Sequence, residues 1–142
     1  MHNSEEGILI DTHIWVWLME GNPVLKGSKA LTLIEKAVES GLLNVSVISV
    51  WEIGMLESKS RITFNIPCME WIDKALSLPG LHLVPLSPGI AIESTRLPHH
   101  FHGDPADRII TATARVNNIT LITKDKKILE YGKSGFLKVI KL

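Results

Sequence analysis

Apolar and polar positions along the chain switch repeatedly between a strand-like and a helix-like period. Residues 7–11 (GILID) form a short apolar run ending in an acid, the pattern of a buried strand. Residues 12–19 predict a helix stopped near Gly21, Asn22 and Pro23. Residues 28–40 place Leu31, Ile34 and Val38 on one helical face, with Gly41 as the C-terminal stop. Residues 42–47 predict a second strand and 49–57 a helix, in which Ser49 and Glu52 have the spacing of a capping box. Residues 68–78 predict a helix closed by Pro79 and Gly80, 81–86 a third strand, and 88–97 a helix opened by Pro88. A histidine-bearing loop precedes a helix over 105–117, a strand over 120–123, a short helix over 125–131 and a final strand over 137–140.

Strands alternating with helices imply a parallel sheet flanked by helices, here an α/β domain spanning residues 1–142. Such sheets bind ligands beyond the carboxyl ends of their strands. Asp11 ends the first predicted strand, Glu52 opens the helix after the second, and Asp125 follows the 120–123 strand. Asp107 opens the helix leading into that strand, so four acids can converge on one spot.

Converging carboxylates repel one another. Two unit charges about 4 Å apart at an effective dielectric of about 20 cost about 4 kcal/mol. Such a cluster needs a cation or shared protons, and oxygen-only ligands favour Mg²⁺ or Mn²⁺ over Zn²⁺. The chemistry that follows is metal-assisted hydrolysis of a phosphodiester. Each acid also has a structural reading. Glu52 completes the capping box, Asp104 and Asp107 take the N-cap and N3 positions around Pro105, and Asp125 caps the helix that follows it. Asp11 has no capping role unless it starts the next helix itself.

Composition narrows this only a little. The 142 residues suit one domain. Fifteen acidic residues balance fifteen basic ones, so a polyanionic substrate needs a local basic patch or a metal. The one cysteine, Cys68, excludes an intrachain disulfide, fits a reducing cytosol, and is expected to be buried or half-buried. Residues 1–7 are polar and acidic, without the regions of a signal peptide, and no apolar run approaches ~20 residues. These features predict a soluble, cytoplasmic protein.

Four segments carry a resemblance: residues 9–18 (LIDTHIWVWL), 46–55 (SVISVWEIGM), 97–115 (LPHHFHGDPADRIITATAR) and 121–128 (LITKDKKI). In order and content they resemble PIN-domain nucleases, in particular the VapC-like toxins of type II toxin–antitoxin pairs. The resemblance implies a three-layer α/β/α fold with a central parallel sheet of about five strands. It also implies a Mg²⁺-dependent ribonuclease, with Mn²⁺ as an alternative, that is inhibited by a cognate antitoxin and forms a homodimer. It makes Asp11, Glu52, Asp107 and Asp125 the catalytic acids. Asp11 and Asp107 would be direct metal ligands, and Glu52 and Asp125 ligands directly or through water. Asp104 becomes a helix cap beside the site, while Thr12, Ser49 and Thr123 resemble the hydroxyl residues lining it. This chain departs from many relatives in carrying Leu56 where a lysine is common and Gly103 where an arginine is common. Both departures remove positive charge near the expected entrance.

Arg108 and Lys124 flank the acids and are candidate RNA-phosphate contacts, whereas Lys126 and Lys127 read as solvated surface charge. His99, His100 and His102 read as loop or supporting residues rather than zinc ligands, and His102 adjoins the DPxDR motif. Trp15, Trp17 and Trp51 serve the core or a partner surface. Two other functions compete. A phosphoaspartyl phosphatase or receiver is disfavoured, because residues 10–13 (IDTH) lack a second aspartate and Lys124 sits directly beside Asp125. An inactive RNA- or protein-binding module is disfavoured by the presence of all four acids.

Overall fold

A computed structural model describes residues 7–142. Of the polar N-terminal stretch noted above, all but Gly7 lies outside the described residues.

Strand β1 (Ile8–Ile10) is wholly buried and leads into helix α1 (Thr12–Glu20). Asp11, in extended conformation, is the N-cap, and Gly21 ends the helix at a left-handed φ of 65°. Asp11 therefore has the capping role that its place at a strand end left open. A single 3-10 turn (Pro23–Leu25) precedes α2 (Lys29–Ser40), capped by Ser28 and ended by Gly41. Strand β2 (Leu43–Ser46) passes directly into α3 (Val47–Ser58).

That junction corrects the expected capping box. Ser46 caps α3, accepting the Ile48 N–H at 3.1 Å, so the helix starts before Ser49. Ser49 is fully buried inside it, and Glu52 reaches across to another helix instead of back to its own N-terminus. A strand-to-helix turn with no intervening loop leaves the last strand residue as the only available cap.

The remaining elements are α4 (Cys68–Leu76), β3 (Leu81–Val84), α5 (Pro88–Thr95), α6 (Pro105–Asn117), β4 (Thr120–Thr123), α7 (Lys126–Gly132) and β5 (Val139–Lys141). Two expected ends retreat for one reason. Pro85 cannot continue the ladder beyond Val84, and Pro98 disfavours helical geometry at Leu97. Cys68 is half-buried, and burial raises its thiol pKa.

The sheet is fully parallel in the order β3-β2-β1-β4-β5. Alternation along β1 and β4 divides the core. Ile8, Ile10 and Ile122 face Ile14, Trp15, Ile34, Ile53 and Trp71 of α1 to α4. Leu9 and Leu121 face Ile90, Ile110, Ile128 and Tyr131 of α5 to α7. These two cores make the three layers. No helix among the described residues is long and apolar enough to cross a membrane.

Gly80 fixes how β3 enters. Its φ is +89°, and a Cβ there would lie 2.2 Å from the Val38 carbonyl oxygen at the end of α2. Gly80→Ala is expected to destabilise the fold by about 1–3 kcal/mol, through left-handed backbone strain and displacement of α2. Chemical denaturation checks this; an unchanged midpoint would mean that the α2–β3 approach is slack.

Candidate active site

Strand order reverses direction at β1. The chain builds outward from β1 to β2 and β3, then crosses to β4 on the other side. The crevice at the carboxyl ends of β1 and β4 is thus a topological switch point, where open α/β sheets bind ligands.

Asp11 lies in that crevice and is only 8% exposed. Its N–H continues the β1–β4 ladder by donating to the Ile122 carbonyl at 3.0 Å. Both carboxylate oxygens are held. Oδ1 accepts the Thr12 N–H at 2.8 Å, and Oδ2 accepts the Thr123 hydroxyl at 2.5 Å. The Thr123 oxygen also accepts the Asp125 N–H at 3.0 Å. Asp125 in turn caps α7 through the N–H groups of Lys127 and Ile128.

On the opposite wall, the Thr12 hydroxyl donates to Glu52 and lies 2.8 Å from the Ser49 hydroxyl. Since the Thr12 proton goes to Glu52, Ser49 donates to Thr12. Asp104 caps α6 by accepting the Asp107 N–H at 3.0 Å. Asp107 is one turn in, and its Oδ2 lies 2.8 Å from His102 Nε2.

Asp11, Glu52, Asp107 and Asp125 all line one cavity of about 250 Å³, together with Asp104, Lys124 and His13. Thr12, Ser49 and Thr123 are buried behind them. Lys124 extends over the Trp17 ring at 4.7 Å. Arg108 is not brought to the cavity, because its guanidinium donates to the carbonyls of Ser94, Phe101 and His102. Sequence reasoning missed His13, whose only signal was its place in the first turn after Asp11. Trp15 is wholly buried and Trp51 is 56% exposed.

Burial raises the pKa values of three of the acids. It pushes Glu52 up to about 7, opposed by the Thr12 hydrogen bond and reinforced by Asp11, Asp107 and Asp104. It pushes Asp107 up to about 6, opposed by His102 and reinforced by Asp104, Asp125 and Asp11. Asp11 is raised by burial as well, against the hydrogen bonds from Thr123 and Thr12.

As the side chains stand, no three His, Cys, Asp or Glu groups among the described residues are gathered closely enough to hold a metal ion. Their oxygens are bonded to hydroxyls, backbone N–H groups and His102. The donor chemistry nevertheless fits a hard divalent cation. The oxygen donors are carboxylates on four separate elements around one cavity, and a positive charge would relieve the repulsion between them.

These shifts set a pH dependence. The folded protein keeps protons on Glu52 and Asp107 that the unfolded chain releases near the ordinary values of 4.5 and 3.8. Their stabilising contribution is full below those unfolded values and is lost as pH rises through about 6 to 7. In chelator, Glu52→Gln is expected to melt at about the wild-type temperature near pH 4.5 and several degrees above it near pH 8. A pH series by calorimetry checks this; a constant difference between the two proteins would remove Glu52 as the source.

Comparison with known proteins agrees with this geometry. The PIN domain family profile matches residues 8–134. Over 121 residues the chain is 34% identical to the Ribonuclease VapC22 of Mycobacterium tuberculosis, covering 85% of this chain and 88% of that relative. Among solved structures, VapBC2 from Rickettsia felis bound to a promoter DNA fragment superposes with a TM-score of 0.67 at 17% identity, covering 94% of this chain and 97% of that one. A toxin–antitoxin complex from Klebsiella pneumoniae superposes with a TM-score of 0.59 at 23% identity, covering 94% and 96%. With the expected sheet, the expected order of acids and a family match over most of its length, the chain belongs to the PIN domain family and is VapC-like.

Proposed function

We propose that the chain is a Mg²⁺- or Mn²⁺-dependent endoribonuclease that hydrolyses RNA phosphodiester bonds as the toxin of a toxin–antitoxin pair. The observation that carries this reading is the meeting of Asp11, Glu52, Asp107 and Asp125 around one cavity at the sheet's switch point. The 34% identity to a protein named as a ribonuclease supports the substrate class.

Asp11 and Asp107 would hold the ion directly, with Glu52 and Asp125 binding directly or through water. When bound, the ion supplies a positive centre that polarises the phosphodiester and acidifies a water. The protein's own groups do the rest. Thr123 and the Thr12 N–H fix the orientation of Asp11, and His102 that of Asp107. Glu52, held by the Thr12 hydroxyl at the wall of the cavity, is placed to take a proton from the attacking water. Lys124, set at the rim of the cavity, receives a phosphate oxygen. The water oxygen bonds to phosphorus, the bond to the leaving sugar oxygen breaks as that oxygen takes a proton from solvent, and the products are a phosphomonoester and an alcohol.

Asp11→Asn and Asp107→Asn keep shape but lose charge. Each is expected to lower Mg²⁺-dependent RNA cleavage at least ~100-fold, while melting temperature is unchanged or rises as repulsion is relieved. Asp104→Asn keeps a good cap and should stay within a few-fold of wild type. Cleavage assays paired with melting curves check all three. Full activity in Asp11→Asn, or wild-type cleavage in chelator, would rule out the metal-dependent role of these acids, whereas a wild type that never cleaves would leave an inactive binding module as the better reading.

The same reading includes a cognate antitoxin, a homodimer and a cytoplasmic location. It draws on the toxin–antitoxin complexes among the structural neighbours and on the exposed Trp51. Coexpression with the product of an adjacent small gene should yield a stable complex with suppressed cleavage. A strictly monomeric, harmless protein would argue against this assignment.

A further inference from the structure

A second cavity lies beside the acidic one. It measures about 660 Å³ and runs between the 98–102 loop and α7. The two cavities share a boundary. His102 lines the larger one while its Nε2 contacts Asp107 of the smaller, and Asp125 of the smaller directly precedes Lys126 of the larger.

The loop wall is fixed in place. The Tyr131 hydroxyl donates to the Pro98 carbonyl at 2.7 Å, tying the loop to α7. Arg108 holds the Phe101 and His102 carbonyls from beneath. The Phe101 ring packs edge-on against Tyr131 at 4.8 Å and stacks on His102 at 4.3 Å. Above this floor His99 and His100 stay exposed, with His99 held at a left-handed φ of 64°. The helix wall is basic. Lys133 is paired with Glu130 at 3.2 Å, whereas Lys126 and Lys127 are exposed and make no ion pair among the described residues.

We infer that this groove is the path of single-stranded RNA leaving the acidic cavity, with Lys126 and Lys127 taking backbone phosphates and a base lying against the exposed histidine rings. The inference rests on the nuclease reading for its direction and deepens it by placing the substrate. Charge complementarity and continuity with the acidic cavity support it. A basic groove that tracks the backbone, beside rings that accept a base, is the usual construction for single strands. The volume falls within the range of pockets that enclose a small ligand such as a nucleotide.

The test uses the full chain carrying Asp11→Asn to prevent cleavage, with Mg²⁺ present and a fluorescein-labelled twelve-nucleotide single-stranded RNA. Fluorescence anisotropy is read across a salt series. Lys126→Glu with Lys127→Glu is expected to weaken binding at least ~10-fold. It should also flatten the plot of log affinity against log salt by about 1.4 or more, the loss of two phosphate contacts. Acidic residues in the first turn favour α7, so misfolding does not account for the loss. His100→Ala should weaken binding ~3-fold or more with the slope unchanged. In the otherwise wild-type enzyme, the lysine changes should raise KM and leave kcat within ~2-fold.

Wild-type affinity and slope in the lysine variant would overturn the proposal, as would equal competition by duplex RNA. A lower kcat with unchanged KM and affinity would overturn it too. Binding that is lost in the lysine variant, in a protein that never cleaves, would support the groove while the nuclease reading fails.

Discussion

The structure turns on the burial of one carboxylate. Asp11 sits 8% exposed at the centre of the sheet, where an unpartnered charge would cost several kcal/mol. The fold provides a donor for each oxygen, the Thr12 N–H for one and the Thr123 hydroxyl for the other. Those two bonds constrain far more than Asp11. The first starts α1, and the second requires β1 and β4 to be neighbours in the register that pairs Ile10 with Ile122. Because the Thr123 oxygen also accepts the Asp125 N–H, the start of α7 is tied to the same point.

A second hydroxyl relay, from Ser49 through Thr12 to Glu52, holds the α3 wall. Together the relays support carboxylates that repel one another; burial, reinforced by that repulsion, raises Glu52 to about 7 and Asp107 to about 6. Part of the cavity's charge is therefore withheld by protonation. A divalent cation held between the carboxylates is the kind of partner that would favour their ionised forms.

Positive charge is divided between two tasks. Arg108 is consumed by three carbonyls and shapes the loop that carries His102, while Lys124, Lys126 and Lys127 remain exposed at the rims of two adjoining cavities. An arginine next to an aspartate in a motif is easily read as a phosphate contact. Here its planar fork is better used against several fixed carbonyls, which an ammonium group cannot match.

The sequence by itself determined the alternation of elements, the parallel sheet and the four acids, because each leaves a local trace. The traces are an apolar run ending in Asp11, a proline opening α5 and α6, and a glycine closing α1 and α2. The resemblance of its motifs then gave the family. Other features depend on contacts between residues far apart in the chain, and only the tertiary structure decided them. Spacing alone made Ser49 and Glu52 a capping box, yet the direct β2–α3 junction gave the cap to Ser46 and sent Glu52 to Thr12, forty positions away. Nothing local distinguished Arg108 from Lys124, and only its place beside the DPxDR motif set His102 apart from His100; their roles follow from what α5, α6 and α7 pack around them. The placing of His13 in the acidic cavity is of the same kind, since a first-turn side chain acquires chemistry only when other elements bring theirs beside it.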